Sequence, residues 1–183
     1  IERIGDHAMN VCGYSRKLAE RNISFSSQAT EELIQMRDVC LKAIDTLMLR
    51  DGGDLLWLSD VAALEQHIDD MTIQFRRAHL QRMKEGICTD EACILYAELL
   101  TDFERIGDHA LNILESAEEL NEKSLTLSDA AKKELDVLLR AVGEIVEVSC
   151  KAFYHNDLEL AYTVEPLEQV IDDLKEKMRL HHI

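Results

Sequence analysis

Apolar residues recur every three to four positions along most of the chain, which is the spacing of one face of an α-helix. The clearest stripe begins after Thr89, a good helix-capping residue, and continues to about Asn121. Its apolar positions are Ile94, Leu95, Leu99, Leu100, Phe103, Ile106, Ala110, Leu111, Ile113, Leu114, Ala117 and Leu120. This stripe predicts one long amphipathic helix with a continuous buried face.

Five further helices are predicted from the same periodicity and from the residues that interrupt it. Ser26 or Ser27 is a candidate N-cap, as is Ser128. The run Asp51-Gly52-Gly53-Asp54 is expected to separate the second helix from the third, and Pro166 is expected to kink or break the last helix early. The six predicted helices cover about residues 1–22, 27–50, 54–84, 89–121, 128–155 and 157–183.

The sequence is internally duplicated. The segment Glu2–Ala8, ERIGDHA, recurs unchanged at Glu104–Ala110, 102 positions later. The segment Leu64–Asp70, LEQHIDD, returns as LEQVIDD at Leu167–Asp173, 103 positions later. Repetition at a fixed distance indicates two copies of one structural unit.

Two copies of a three-helix unit predict an all-α fold of two three-helix bundles. The helices are long, as in spectrin repeats. Bundle one is predicted at 27–122, and bundle two at 128–183 closed by residues 1–22, because each amphipathic helix must bury its stripe. Closure by residues 1–22 of a neighbouring chain, in a homodimer, is the alternative.

Composition narrows the class of protein. Hydrophobic residues make up 46%, charged residues 31%, and there is only one proline, which is typical of a helical globule. The formal net charge of −16 disfavours nucleic acid as a partner and favours cations and basic protein segments. No apolar run is long enough to span a membrane. Five cysteines without a Cys-x-x-Cys pair are interpreted as buried free thiols in a reducing cytoplasm.

Candidate chemistry lies in a Glu-x-x-x-Asp pair that occurs four times at duplicated positions. Residues four apart share one helix face, and two like charges there cost about 0.2–0.5 kcal/mol, so a bound cation is the expected compensation. Packing of neighbouring helices predicts two carboxylate surfaces. The first carboxylate set is Glu65, Asp69, Glu104 and Asp108. The second carboxylate set is Glu2, Asp6, Glu168 and Asp172. A solvated acidic face without metal is the alternative.

Residues beside these pairs carry further expectations. Gly5 and Gly107 weaken their helices by about 1 kcal/mol relative to alanine, which indicates close approach of a neighbouring helix or, less simply, of an ion. His7 and His109 are interpreted as interhelical hydrogen-bond partners or as additional ligands.

Three charged residues in or near the second copy of ERIGDHA are interpreted as ordinary surface charges rather than as ligands. Glu98 and Asp102 are expected on a solvated face, with Arg105 able to reach Asp102.

A di-iron oxidase of the ferritin type would need Glu-x-x-His, and no histidine has a glutamate three positions before it. Since a glycine-rich phosphate loop and a convincing nucleophile are also missing, we do not expect an enzyme.

The duplicated Glu-Arg-Ile-Gly-Asp-His-Ala segment resembles the PhoU family, and the similarity extends over nearly all of 1–183. The resemblance implies two three-helix bundles related by pseudo-twofold symmetry, with multinuclear iron or zinc clusters on the Glu/Asp-x-x-x-Asp pairs. It also implies a regulatory role in phosphate transport.

Two branches of that family are considered. The wording Asp-Phe-Glu-Arg-Ile-Gly-Asp-His-Ala-Leu-Asn-Ile and the start inside a helix look more like the cytosolic tail of a bacterial sodium/phosphate cotransporter, with basic cytoplasmic loops of the transporter as partners. The alternative is a free-standing regulator that couples a phosphate ABC transporter to a sensor kinase. A metal-free helical interaction module is the hypothesis from another class.

Overall fold

The structure, a computed structural model, describes residues 1–48 and 56–181. Across these two ranges the chain is helical and contains no strand, which confirms the all-α prediction. The predicted joint Asp51-Gly52-Gly53-Asp54 lies outside the described residues. The helices are α1 (Glu2–Arg21), α2 (Ser27–Met48), α3 (Leu56–Lys84), α4 (Asp90–Glu122), α5 (Asp129–His155), α6 (Leu158–Ala161) and α7 (Val164–His181).

Helix boundaries follow the capping residues that the sequence offers. The side chains of Ser26, Thr89 and Ser128 each accept a hydrogen bond from the backbone N–H three residues later, so all three act as N-caps. Asn22 and Asn156 end α1 and α5 in the left-handed conformation, with φ of 51° and 53°. Asparagine tolerates this conformation better than most residues.

The predicted break near Pro166 occurs at Tyr162 and Thr163, which separate α6 from α7. A proline cannot donate to the carbonyl four residues earlier, and its ring clashes with that carbonyl. For Pro166 the carbonyl concerned belongs to Tyr162. Pro166 itself lies in the first turn of α7, where its missing N–H costs nothing.

The helices form two groups that correspond to the two copies of the repeat. Helices α2, α3 and α4 pack on one another, and α1 packs with α5, α6 and α7 of the same chain. The groups meet where α1 contacts α4 and where α2 contacts α5. The main buried core contains residues from every helix, with Ile4, Met36, Phe103 and Ile145 among its most enclosed side chains.

Two glycines lie at close contacts between helices, as the sequence predicts. A Cβ built on Gly107 of α4 would lie 3.0 Å from Cδ1 and 3.3 Å from Cγ2 of Ile68 on α3. The second copy repeats the contact less tightly, since a Cβ on Gly5 of α1 would lie 3.4 Å from Cδ1 of Ile171 on α7. Each glycine therefore allows an isoleucine to pack directly on the helix backbone.

One apolar position is wrongly predicted to be buried. Ile94 is 62% exposed. The neighbouring residues Cys93 and Leu95 are buried, and the side chain of Ile94 points away from the core. Together with Leu80 and Met83 of α3, Ile94 lines an open apolar groove between α3 and α4.

The glycine contacts predict a graded response to alanine. Gly107→Ala should be less stable than Gly13→Ala by about 1–3 kcal/mol, because the new methyl overpacks against fully buried Ile68. Nothing lies within 4 Å of a Cβ on Gly13, so that variant should gain helix propensity alone. Gly5→Ala should fall between them. Urea unfolding measures all three, and equal stabilities for the Gly107 and Gly13 variants would contradict the assigned contact.

Candidate metal centre

Three of the four carboxylates in the first carboxylate set meet across the α3–α4 contact. One carboxylate oxygen from each of Glu65, Asp69 and Asp108 lies within 4.8 Å of the other two. Asp69 follows Ile68 and Asp108 follows Gly107, so the tight contact between Ile68 and Gly107 brings the acids together. All three residues are half-buried.

The fourth member, Glu104, lies outside this trio. Its Oε2 accepts a hydrogen bond of 2.8 Å from Nη2 of Arg76, which also donates to the Thr101 hydroxyl. Arg76 lies on α3, one turn beyond Thr72. Glu104 is therefore neutralised by an arginine that the Glu-x-x-x-Asp spacing does not reveal.

The remaining charges of the first carboxylate set are partly compensated. Arg105 donates to Oδ2 of Asp108 at 3.0 Å. The prediction that Arg105 pairs with Asp102 is wrong, because Asp102 points into the protein. Burial is the largest cause that raises the pKa of Glu65 above its ordinary value, and the charges of Asp69 and Asp108 raise it further. Burial, then Asp108, raises the pKa of Asp69.

The second carboxylate set contains a cation that belongs to the protein. Nζ of Lys175 on α7 lies 3.0 Å from Oε1 of Glu2 and 3.6 Å from Oδ1 of Asp172. Asp172 Oδ1 is nevertheless buried without a hydrogen-bond partner. Burial first, then neighbouring acids, raises the pKa of both Asp6 and Glu168.

The two sets differ at one aligned position. Lys175 corresponds to Thr72 at the repeat distance of 103 that relates Ile68 to Ile171. In the first carboxylate set, the threonine leaves the trio without an internal ammonium group. The three-oxygen cluster with a ligand-like spacing occurs only in this first set among the described residues.

Histidines join the two groups of helices close to these carboxylates. The rings of His7 and His109 pack with centroids 5.4 Å apart. Nδ1 of His7 lies 2.6 Å from Oδ1 of Asp102, and Nδ2 of Asn10 donates to the same oxygen at 3.1 Å. The prediction of an interhelical hydrogen bond is confirmed for His7, whereas Nδ1 of His109 lies 3.5 Å from Nδ2 of Asn112 on its own helix.

The prediction that Asp102 lies on a solvated face is wrong. Asp102 is only 5% exposed, because it faces α1 and accepts hydrogen bonds there. Its neighbour Glu98, one turn earlier on α4, is exposed as predicted. The i, i+4 spacing shows that two acids share a face but not how far the neighbouring helix covers it.

A model of the PhoU domain family matches residues 33–117. This range contains the whole of the first carboxylate set and most of α2, together with α3 and much of α4. Over these residues the chain is similar to the PhoU domain family.

The chain is also similar to curated proteins. The phosphate-specific transport system accessory protein PhoU homolog 1 of Thermotoga maritima is 32% identical over 121 residues, which cover 63% of this chain and 49% of that protein. An uncharacterized protein of Deinococcus radiodurans is 28% identical over 121 residues, which cover 66% of this chain and 43% of that protein. The chain spans less than half the length of either relative. No solved structure matches it.

The crowding of acids predicts a gain in stability when one charge is removed without metal. In the presence of a chelator at neutral pH, Asp69→Asn should raise the free energy of unfolding by at most about 0.5 kcal/mol, since solvent screens part of the repulsion. A raised pKa means that the folded state binds protons more tightly than the unfolded chain. Metal-free wild type therefore gains stability relative to the variant as the pH falls through that raised pKa.

Urea titrations at neutral pH and at about pH 4 measure this difference. Asp70→Asn is the comparison variant, because Asp70 is the next residue and is exposed, and its charge raises the pKa of Asp69 less than that of Asp108 does, so its removal should relieve less repulsion. A clear loss of stability in metal-free Asp69→Asn would contradict mutual repulsion within the trio.

Proposed function

We propose that this chain is a regulatory, metal-binding PhoU-like domain that controls phosphate transport. The observation that carries the proposal is the carboxylate trio of Glu65, Asp69 and Asp108 within the segment that matches the PhoU domain. Three acids held together on two helices are unfavourable alone, and a bound cation converts them into a link between α3 and α4.

The donor set favours a hard or borderline cation. All three groups offer carboxylate oxygen, which suits iron in its common oxidation states and is also found around zinc. When bound, the cation supplies positive charge that offsets the repulsion within the trio. Glu104 would contribute only after releasing Arg76. His7 is already engaged with Asp102, which leaves its ring poorly placed as a ligand.

The second carboxylate set is proposed as a weaker site of the same kind. Asp172 Oδ1, which is buried without a hydrogen-bond donor, and the raised pKa of Glu168, caused first by burial, favour a cation there. Lys175 already supplies part of the positive charge that a bound cation would bring, because it pairs with Glu2 and Asp172. Binding at the second set would have to displace the ammonium group, so the two sets should differ in affinity.

Regulation is proposed to occur through contact with a transporter. The net charge of −16 complements the basic cytoplasmic loops of membrane transporters. None of the described helices is long and apolar enough to cross a membrane. The amino-acid sequence of the duplicated segment favours the cytosolic tail of a sodium-dependent phosphate cotransporter.

A second candidate is a free-standing regulator of a phosphate ABC transporter and its sensor kinase. The printed name of the Thermotoga maritima relative, an accessory protein of a phosphate-specific transport system, favours this candidate. Both candidates use the same carboxylate surface, so the metal experiment below applies to either.

Metal content tests the proposed ligands. Elemental mass spectrometry on protein purified without a His tag should find iron or zinc in the wild type. An Asp69→Asn, Asp108→Asn double variant should lose most of the metal bound by the first carboxylate set. Asp70→Asn, which removes an adjacent exposed charge, should keep it. A folded wild type that takes up neither metal would contradict this part of the proposal and favour the metal-free interaction module.

The second set provides an internal comparison in the same experiment. Lys175→Thr introduces the residue found at the equivalent first-repeat position, Thr72. In the double-variant background this change should restore metal binding, now at the second carboxylate set. Failure to bind metal with a correctly folded protein would show that Lys175 is not what separates the two sets.

Phosphate uptake tests the regulatory role. In its host, the otherwise intact gene product should lose the dependence of radiolabelled phosphate uptake on external phosphate when this segment is deleted. The Asp69→Asn, Asp108→Asn variant should reproduce the loss, whereas Asp70→Asn should not. Uptake that is regulated normally after deletion would contradict the proposed function, whatever metal the domain binds.

A further inference from the structure

Two cysteines meet at the turn between α3 and α4. Sγ of Cys88 lies 2.9 Å from Sγ of Cys93. This separation is less than 1 Å longer than a disulfide bond of about 2.05 Å. Cys88 is half-exposed, while Cys93 is only 5% exposed in the first turn of α4.

The backbone on both sides of the pair is fixed by capping interactions. Gly86 ends α3 with φ of 67°, and the N–H of Ile87 donates to the Arg82 carbonyl at 3.0 Å. On the other side, the Thr89 carbonyl accepts from the N–H of Cys93 at 2.9 Å. The thiols are therefore brought together by the turn, without any need to unfold a helix.

The pair is chemically asymmetric. Burial, followed by the neighbouring Cys88, raises the pKa of the Cys93 thiol to about 11. The Cys93 carbonyl oxygen is hydrogen-bonded to Nε2 of the buried His79 ring, which holds this part of α4 in place. Cys88 is the thiol that a solvent-borne reagent reaches first, and Cys93 lies directly behind it.

The other thiols are separated from this pair. Cys12, Cys40 and Cys150 are buried in the main core among the helices of both repeats. Burial raises the pKa of Cys150 to about 12, and it also raises that of Cys12. Accessibility therefore singles out Cys88, and the 2.9 Å separation of the two sulfurs makes Cys93 its partner.

We propose that Cys88 and Cys93 are a redox modification site, which a low-molecular-weight disulfide such as glutathione disulfide converts into an intramolecular disulfide bond. This site is independent of the proposed metal-binding function. Nothing in the sequence spacing indicates it, since the two cysteines are five positions apart and span a helix start.

The conversion proceeds in two exchange steps. The Cys88 thiolate attacks one sulfur of the reagent, whose S–S bond breaks, and one glutathione leaves after taking up a proton. The Cys93 thiol then gives up its proton and its sulfur attacks Sγ of Cys88, which releases the second glutathione. Two protein thiols are oxidised, and the reagent disulfide is reduced to two thiols.

Mass spectrometry on the native 183-residue chain tests the proposal. After treatment with glutathione disulfide, acid quench and alkylation in denaturant, wild type should lose two hydrogens, with a Cys88–Cys93 cross-link in the peptide map and the other three cysteines alkylated. Dithiothreitol should reverse the change. A different cross-link, a persistent glutathione adduct on Cys88, or no reaction would overturn the proposal.

Variants separate the two steps. Cys93→Ser should stop after the first step and keep one glutathione on Cys88, whereas Cys88→Ser should remain unmodified because Cys93 is buried. Cys150→Ser is the matched control and should form the cross-link as wild type does. Circular dichroism verifies that each variant is folded, and the wild-type peptide map stands on its own if one is not.

Discussion

The meeting of Glu65, Asp69 and Asp108 depends on one contact, the packing of Ile68 on the backbone of Gly107. A Cβ at position 107 would lie 3.0 Å from Cδ1 of Ile68, so either the isoleucine or the helix would have to shift. The residues next to this contact in sequence are Asp69 and Asp108, so the same approach that buries an isoleucine forces two acids together. Apolar packing thereby maintains an electrostatically unfavourable arrangement.

Much of the fold follows directly from the sequence. Apolar periodicity and capping residues such as Thr89 and Ser128 define the helices, and the glycine at the centre of the repeated segment indicates where helices touch. The apolar periodicity and the caps depend only on nearby residues, and the glycine occurs at the same place in both repeats. The break before α7 is also local, because Pro166 acts on the turn that precedes it.

The details of the candidate site were less predictable because they depend on long side chains from a neighbouring helix. Arg76 reaches Glu104, and Lys175 reaches Glu2. Spacing along one helix shows which residues share a face. It does not show which side chains of the neighbouring helix reach them. Asp102 illustrates the same limit, since its burial is caused by α1, which lies far away in sequence.

Lys175 gives the two repeats different roles in the shape of the molecule. In the second carboxylate set, the side chain of Lys175 supplies an ammonium group between α1 and α7. The first set has a threonine at the equivalent position, and its trio is compensated only in part, by Arg105 on Asp108, while Arg76 pairs with Glu104. A change in ionic surroundings should therefore act more strongly on the contact of α3 with α4 than on that of α1 with α7, so the two halves of a duplicated fold respond unequally.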